Sequence, residues 1–248
     1  MKTIVAGVGM IPFTKPGASD PYDRMGEAAI RLALEDAGVD YESVEQAFAG
    51  YVYGDSTAGQ RVIYRVGMTG VPIVNVNNNC STGSTALYLA RQAIESGMSD
   101  CVLAVGFEQM KPGALSQVFD DRPSPFLDFD TATDELVDVQ DMPMTLRYFG
   151  GAGQSHMQKY GTSMETFASI RAKASRHAAR NPLSLFRKEM TVDEVMDLMT
   201  RGRFRHLPVC EDGVLVGVIS IGDVVRRRIE DAEREAEDMR AYIHTAAG

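Results

Sequence analysis

Along the first 110 residues, apolar positions fall into short blocks with two different periods. Residues 2–8 (Lys-Thr-Ile-Val-Ala-Gly-Val) form a largely apolar run stopped at Gly9, and read as a buried strand. Met25, Ala28, Ala29, Leu32 and Ala33 then recur at helical spacing. Ser19 or Asp20 can cap that helix with Pro21 at its first position, and Gly38 stops it. Residues 47–53 and 71–76 are apolar runs of strand length, with a short helix at 60–68 between them. A helix with small residues in its first turns follows residue 80, and residues 101–107 are again continuously apolar. Continuous apolar strands alternating with helices predict an α/β fold whose mostly parallel sheet is covered on both faces.

Beyond residue 108 the pattern changes. Residues 111–141 are rich in Pro, Asp and Ser without periodicity and read as a long loop. Helices are predicted over 144–160, containing Gly150-Gly151-Ala152-Gly153, and over 163–180, ended by Asn181-Pro182. From about residue 188 a new unit begins. Thr191 caps a helix with Glu194 three residues on, and Val195, Met196 and Met199 line its apolar side. A strand follows Arg205-His206, Asp212-Gly213 makes a tight turn, and residues 214–220 form a second strand. Gly222-Asp223 opens a last helix over 224–242, whose charged stretch 226–240 is a solvated face. The pattern divides the chain into a larger domain, residues 1–188 with a loop region at 110–160, and a small α/β module, residues 189–248.

Composition narrows the chemistry. The 248 residues are 44% hydrophobic and 24% charged, as in soluble globular proteins. A net charge of −9 argues against nucleic acid or an anionic membrane surface as partner. No apolar run approaches the ~18 residues of a membrane span. The N-terminal run is too short and broken for a signal peptide, and His-Thr-Ala-Ala-Gly is no peroxisomal address, so a cytoplasmic protein is expected. Cysteines at 80, 101 and 210 are odd in number, and no Cys-x-x-Cys or His-rich cluster suggests a metal.

The chemically pointed stretch joins the apolar run 71–76 to Asn77-Asn78-Asn79, then Cys80, then a helix. A cysteine at a helix N-terminus meets the positive end of the dipole and free backbone N–H groups, which favour thiolate. The plain alternative is a small buried hydrophobe. A strand, a polar turn and a helix around it favour a nucleophile.

Asn77-Asn78-Asn79-Cys80-Ser81-Thr82-Gly83-Ser84 also resembles a known family. With Val5-Ala6-Gly7-Val8-Gly9-Met10, the stretch from Asp100 to Glu108, and Ser175-Arg176-His177-Ala178-Ala179-Arg180-Asn181-Pro182, it is similar to the N-terminal part of thiolases of the sterol-carrier-protein-X, or lipid-transfer-protein, branch. The resemblance implies a layered α/β fold of two similar halves. It also implies a thiolase-type acyl-CoA C-acyltransferase in which Cys80 accepts the acyl group. CoA thioester would enter as substrate, with no resident cofactor. In that family the general base and remaining oxyanion donors come from Gly-His-Pro and Cys-x-Gly motifs of the second half, which this sequence lacks. The resemblance therefore stops before the second-half catalytic residues, and His156 and His177 are poor substitutes. A β-ketoacyl synthase shares the fold and the cysteine, but its pattern fits less well. Without a second half, the surface of Ala86, Leu87, Leu89, Ala90 and Ile94 is expected to face water or a partner, which predicts a homodimer.

Residues 191–242 resemble a single CBS domain, on Arg205-His206-Leu207-Pro208-Val209 and Gly217-Val218-Ile219-Ser220-Ile221-Gly222-Asp223. That resemblance implies an adenine nucleotide, AMP or ATP, with phosphate at Ser220 and ribose at Asp223. The same two residues read equally well as a helix cap. His206 and Cys210 belong to this module and form no triad with Cys80. Two further readings stand beside the acyltransferase: a non-catalytic nucleotide-sensing or oligomerising protein, and an inert chimera of two unrelated genes.

Overall fold

The computed structural model describes residues 2–111, 118–136, 144–201, 207–211 and 214–219. They belong to two compact units, residues 1–116 with 181–187, and residues 117–180 with 188–248.

The first unit is built on a parallel sheet in the order β2-β1-β3: β1 Gln46–Gly50, β2 Ile73–Val76 and β3 Val102–Gly106. Its register aligns Ala47 with Ile73 on one side and Leu103 on the other. Side chains alternate across β1. Ala47 and Ala49 face one layer with Ile30, Val62 and Ile63, while Phe48 faces the other with Val76, Ala86, Ala90 and Ala93. Helices α1 (Tyr22–Ala37) and α2 (Ala58–Val66) cover the first face, and α3 (Thr82–Glu95) the second. The predicted α/β class is observed.

Helix α1 begins one residue later than predicted, with Pro21 at the N-cap position and no side-chain cap. Gly38 stops it in the left-handed region (φ 64°), its N–H and that of Val39 donating to the carbonyls of Glu35 and Leu34. The buried side carries Asp23, Gly26 and Ile30, whereas Leu32 faces outward. Acid–base pairs lie along the same side. Asp23 accepts from Arg61 at 3.0 Å, and Glu27 accepts from Arg65 at 2.6 Å and from Arg31 at 3.0 Å.

Residues 2–8 are not a strand. The segment has no regular secondary structure, and Ile4, Val5 and Val8 are about 70% exposed or more (76%, 71% and 69%). Its backbone is committed to α1 instead. A Cβ at Gly9 would lie 2.2 Å from the Ala29 carbonyl oxygen, and the Val8 N–H donates to the Asp36 carboxylate at 2.8 Å. The surface predicted for α3 is also corrected. Ala86 and Ala90 are buried against the sheet with Leu89 packed beside them, so of the predicted patch Leu87, with its neighbour Tyr88, stands exposed. Small side chains let this helix approach the sheet closely, which buries the alanine side and turns the larger residues out.

In the second unit the stretch read as loop contains α4 (Leu127–Leu136). It is held from α5 (Met144–Tyr160), where Arg147 donates to Asp130 at 2.7 Å and the Tyr148 hydroxyl also donates to Asp130. Helix α6 (Met164–Ala179) is capped by Ser163, whose hydroxyl accepts from the Thr166 N–H. Helix α7 (Val192–Arg201) has the predicted capping box. The Thr191 hydroxyl accepts from the Glu194 N–H at 3.1 Å, and the Glu194 carboxylate from the Thr191 N–H at 2.8 Å. Val195 packs on Ala168 and Ala172 of α6, and buried Ser175 accepts the Met190 N–H at 2.9 Å. Strands β4 (Leu207–Glu211) and β5 (Val214–Ile219) pair antiparallel, as predicted, with an irregularity between Val209 and Cys210. His206, Asp212-Gly213, Ser220, Asp223 and the predicted helix 224–242 lie outside the described residues.

Arg65 and, after it, Arg31 hold the Glu27 carboxyl below the usual carboxylate range. A carboxylate whose folded pKa is lowered stabilises the fold fully above its unfolded value of about 4.3, and loses that contribution as pH falls through the folded value. Glu27→Gln should therefore cost about 0.5–1 kcal/mol at pH 7 and less near pH 3, read from urea midpoints at the two pH values. An equal cost at both would remove the ion pairs as the cause.

Candidate functional site

All three parallel strands end at one edge of the sheet, where α/β folds place their ligands. Strand β2 leaves that edge at Val76 and enters the asparagine turn. Asn79 takes the left-handed conformation (φ 48°), which asparagine tolerates well. The turn is tied by Thr82, whose side chain is buried. Its hydroxyl donates to the Asn79 carbonyl at 2.6 Å and accepts the Asn78 N–H at 2.8 Å. Ser81 donates to the Asn78 carbonyl at 2.9 Å, Asn78 Nδ2 donates to the Thr85 hydroxyl at 3.1 Å, and Asn77 Oδ1 accepts the Asn79 N–H at 3.3 Å. Cys80 stands exposed between Asn79 and the N-cap Ser81. The helix thus opens two residues after the cysteine, at Thr82, rather than at it.

Thr82 can reach this position because β1 ends in glycine. A Cβ at Gly50 would lie 2.8 Å from Thr82 Cγ2. At the end of β3, a Cβ on Gly106 would come within 3.6 Å of Gly83 Cα. The start of α3 therefore rests on two strand ends without side chains.

Neighbouring loops at the same edge are braced by groups the sequence reading did not single out. The Glu108 carboxylate, just beyond β3, accepts the N–H groups of Val52 (2.8 Å) and Tyr53 (3.0 Å) from the loop after β1. Phe107 stacks against Tyr22 (centroids 5.5 Å) and Tyr51 (5.2 Å). Asn75 caps α2 from β2, accepting the Gly59 N–H at 3.0 Å and donating to Gln60 at 2.7 Å. Glu108 sits in one of the motifs quoted above, but sequence spacing alone could not show which backbone it ties.

The remaining candidates are dispersed. Cys101 is half-buried before β3, and burial, then Glu45, pushes its thiol up. His156 is exposed on α5, with its ring 4.7 Å from Tyr160 and 6.4 Å from Phe167, and His177 is exposed in the last turn of α6. Both belong to the second unit and Cys80 to the first. Ser220 and Asp223 lie outside the described residues. Among the described residues no group of three or more His, Cys, Asp or Glu side chains is placed to hold a metal, and no helix is long and apolar enough to cross a membrane.

Comparison with known proteins assigns the family. The model of the thiolase N-terminal domain matches residues 3–200. The chain belongs to the thiolase family. A CBS domain model matches residues 178–230, so the last turn of α6 through most of α7 falls in both matches. The chain is similar to sterol carrier protein 2 of Oryctolagus cuniculus, 46% identical over 237 residues, covering 91% of this chain and 42% of that protein. It is also similar to the benzoylsuccinyl-CoA thiolase subunit BbsB of Thauera aromatica, 31% identical over 202 residues, covering 79% and 48%. The solved Ltp2-ChsH2(DUF35) aldolase shares its fold, with a TM-score of 0.57 at 17% identity over 85% of this chain and 50% of that one. The chain spans less than half the length of these two curated relatives.

Exposure and burial separate the two described thiols. In a Cys210→Ser background, iodoacetamide should label Cys80 well before Cys101 at pH 8, read by peptide mass mapping. Equal labelling rates would contradict the site geometry.

Proposed function

We propose that this chain carries the acyl-accepting side of a thiolase-type acyl-CoA C-acyltransferase, with Cys80 as the nucleophile. The observation that supports it most is the exposed Cys80 on a turn tied by Thr82, at the carboxyl edge of a parallel sheet in a thiolase-family chain. In the proposed step the Cys80 thiolate attacks the thioester carbonyl, the carbon–sulfur bond to CoA breaks, and CoA leaves as a thiolate that takes up a proton. The acyl group then rests on Cys80 Sγ. The N-terminal end of α3, which opens two residues on, favours negative charge on the carbonyl oxygen. The base for the second half-reaction belongs, by resemblance, to motifs these 248 residues do not contain, so the proposal is confined to acyl uptake.

Acetyl-CoA mixed with the chain should add one acetyl group, found on the Cys80 peptide by mass, with one free CoA released. Cys80→Ser should abolish both. Labelling that persists in Cys80→Ser, or none in the parent chain, refutes the assignment.

The CBS match supports a second reading, that Ser220 and Asp223 hold the phosphate and ribose of an adenine nucleotide and that the modules pair in a homodimer. AMP or ATP at about 100 times Kd should add about 2.7 kcal/mol to the stability of the nucleotide-binding unit, seen as a rise in Tm that Asp223→Ala removes. A nucleotide shift without acyl uptake would favour the sensing protein over the acyltransferase.

A further inference from the structure

The Glu108 carboxylate divides its two oxygens between consecutive backbone N–H groups. Oε2 accepts from Val52 at 2.8 Å and Oε1 from Tyr53 at 3.0 Å, across 56 and 55 residues of chain. A half-buried carboxylate that holds two N–H groups of one loop is a charge-assisted clamp, stronger than two neutral hydrogen bonds. What it clamps is the start of the loop after β1.

That loop start meets the cysteine turn at two points. The Tyr51 N–H donates to the carbonyl of Val76, the last residue of β2, at 3.3 Å, and the asparagine turn leaves from there. Gly50, one residue earlier, lies against Thr82. A Cβ at Gly50 would sit 2.8 Å from Thr82 Cγ2 and 3.1 Å from the Thr82 carbonyl oxygen. From the other side, the Phe107 N–H donates to the Gly50 carbonyl at 3.1 Å. Phe107 and Glu108 thus fix the end of β1, and the end of β1 in turn seats Val76 and Thr82. Thr82 closes the turn that carries Cys80.

We infer that Glu108 is a positioning residue for Cys80, acting through the Val52 and Tyr53 N–H groups and the end of β1. The inference takes its chemistry from the acyl-uptake reading above and its geometry from these hydrogen bonds. Glu108→Gln keeps one acceptor oxygen and turns an amide NH2 toward the second N–H, so one bond is lost. Glu108→Asp keeps both acceptors on a shorter stem. Tyr51→Phe is the control. It removes a hydroxyl that ties the far end of the same loop, donating to the Asp55 carbonyl at 3.1 Å and accepting the Ala58 N–H at 3.2 Å.

Each change is made in the full chain with Cys210→Ser, and Tm is recorded for each. Acetyl uptake on Cys80 is followed by mass against acetyl-CoA concentration, and iodoacetamide labelling of Cys80 is measured relative to Cys101. Glu108→Gln should lower the saturating rate of uptake at least about tenfold, the worth of one hydrogen bond to a charged group, with the half-saturating concentration unchanged. Glu108→Asp should lower it by only about threefold, and Tyr51→Phe should leave it unchanged. A parent-like saturating rate in Glu108→Gln overturns the inference, as does an equal loss in Tyr51→Phe. Should Glu108→Gln fail to fold, a parent-like rate in Glu108→Asp overturns it instead. No acetyl uptake by the parent chain refutes the Cys80 reading, and the labelling ratio then decides the positioning role. A ratio changed in Glu108→Gln and partly restored in Glu108→Asp keeps it, and an unchanged ratio removes it.

Discussion

The Thr82 hydroxyl is the interaction on which the rest of the candidate site depends. One buried side chain closes the turn that carries Cys80, bonding the N–H of Asn78 and the carbonyl of Asn79, and it also starts α3. Without that hydroxyl the Asn78 N–H would lose its partner in the turn, while the Asn79 carbonyl would keep the Thr82 N–H. The hydroxyl can sit there because Gly50 ends β1 without a side chain, so helix and sheet meet at backbone distance. A local hydrogen bond and a tertiary contact are therefore one constraint.

That constraint explains why the site is an edge and not a pocket in the sheet. Parallel strands bring the loops after β1, β2 and β3 to the same end, and each loop is tied by a group from another. Glu108 beyond β3 holds the loop after β1, and Asn75 of β2 caps α2. Cys80 is left exposed on a turn braced by these ties. The N-terminal segment lies against α1.

The second unit follows a different logic. Its helices are joined by single polar contacts and small apolar patches: Arg147 and Tyr148 on Asp130, Ser175 with Met190, Val195 on Ala168 and Ala172. Residues 178–200, shared by the thiolase and CBS matches, contain the end of α6 and most of α7. Helix α7 thus packs on α6 while lying inside the CBS-matched sequence. The join is continuous in packing as well as in sequence.

Much of the fold was legible in the residues alone. Continuous apolar runs gave the three parallel strands, Gly38 the end of α1, and Thr191 with Glu194 the start of α7, because each is a local rule of period or capping. The turn around Cys80 was legible too, since Asn-rich turn chemistry before a small-residue helix is written in consecutive residues. Tertiary structure decided what depends on partners distant in sequence. Residues 2–8 read as a strand, yet glycines pressed against α1 hold them out of the sheet. Helix α4 was hidden because its tie, Asp130 to Arg147 and Tyr148, spans 17 and 18 residues. The alanine side of α3 was taken for a surface, and only the approach of the sheet shows it buried. Period and capping are set by neighbours in the chain; pairing, burial and access are set by what folds against them.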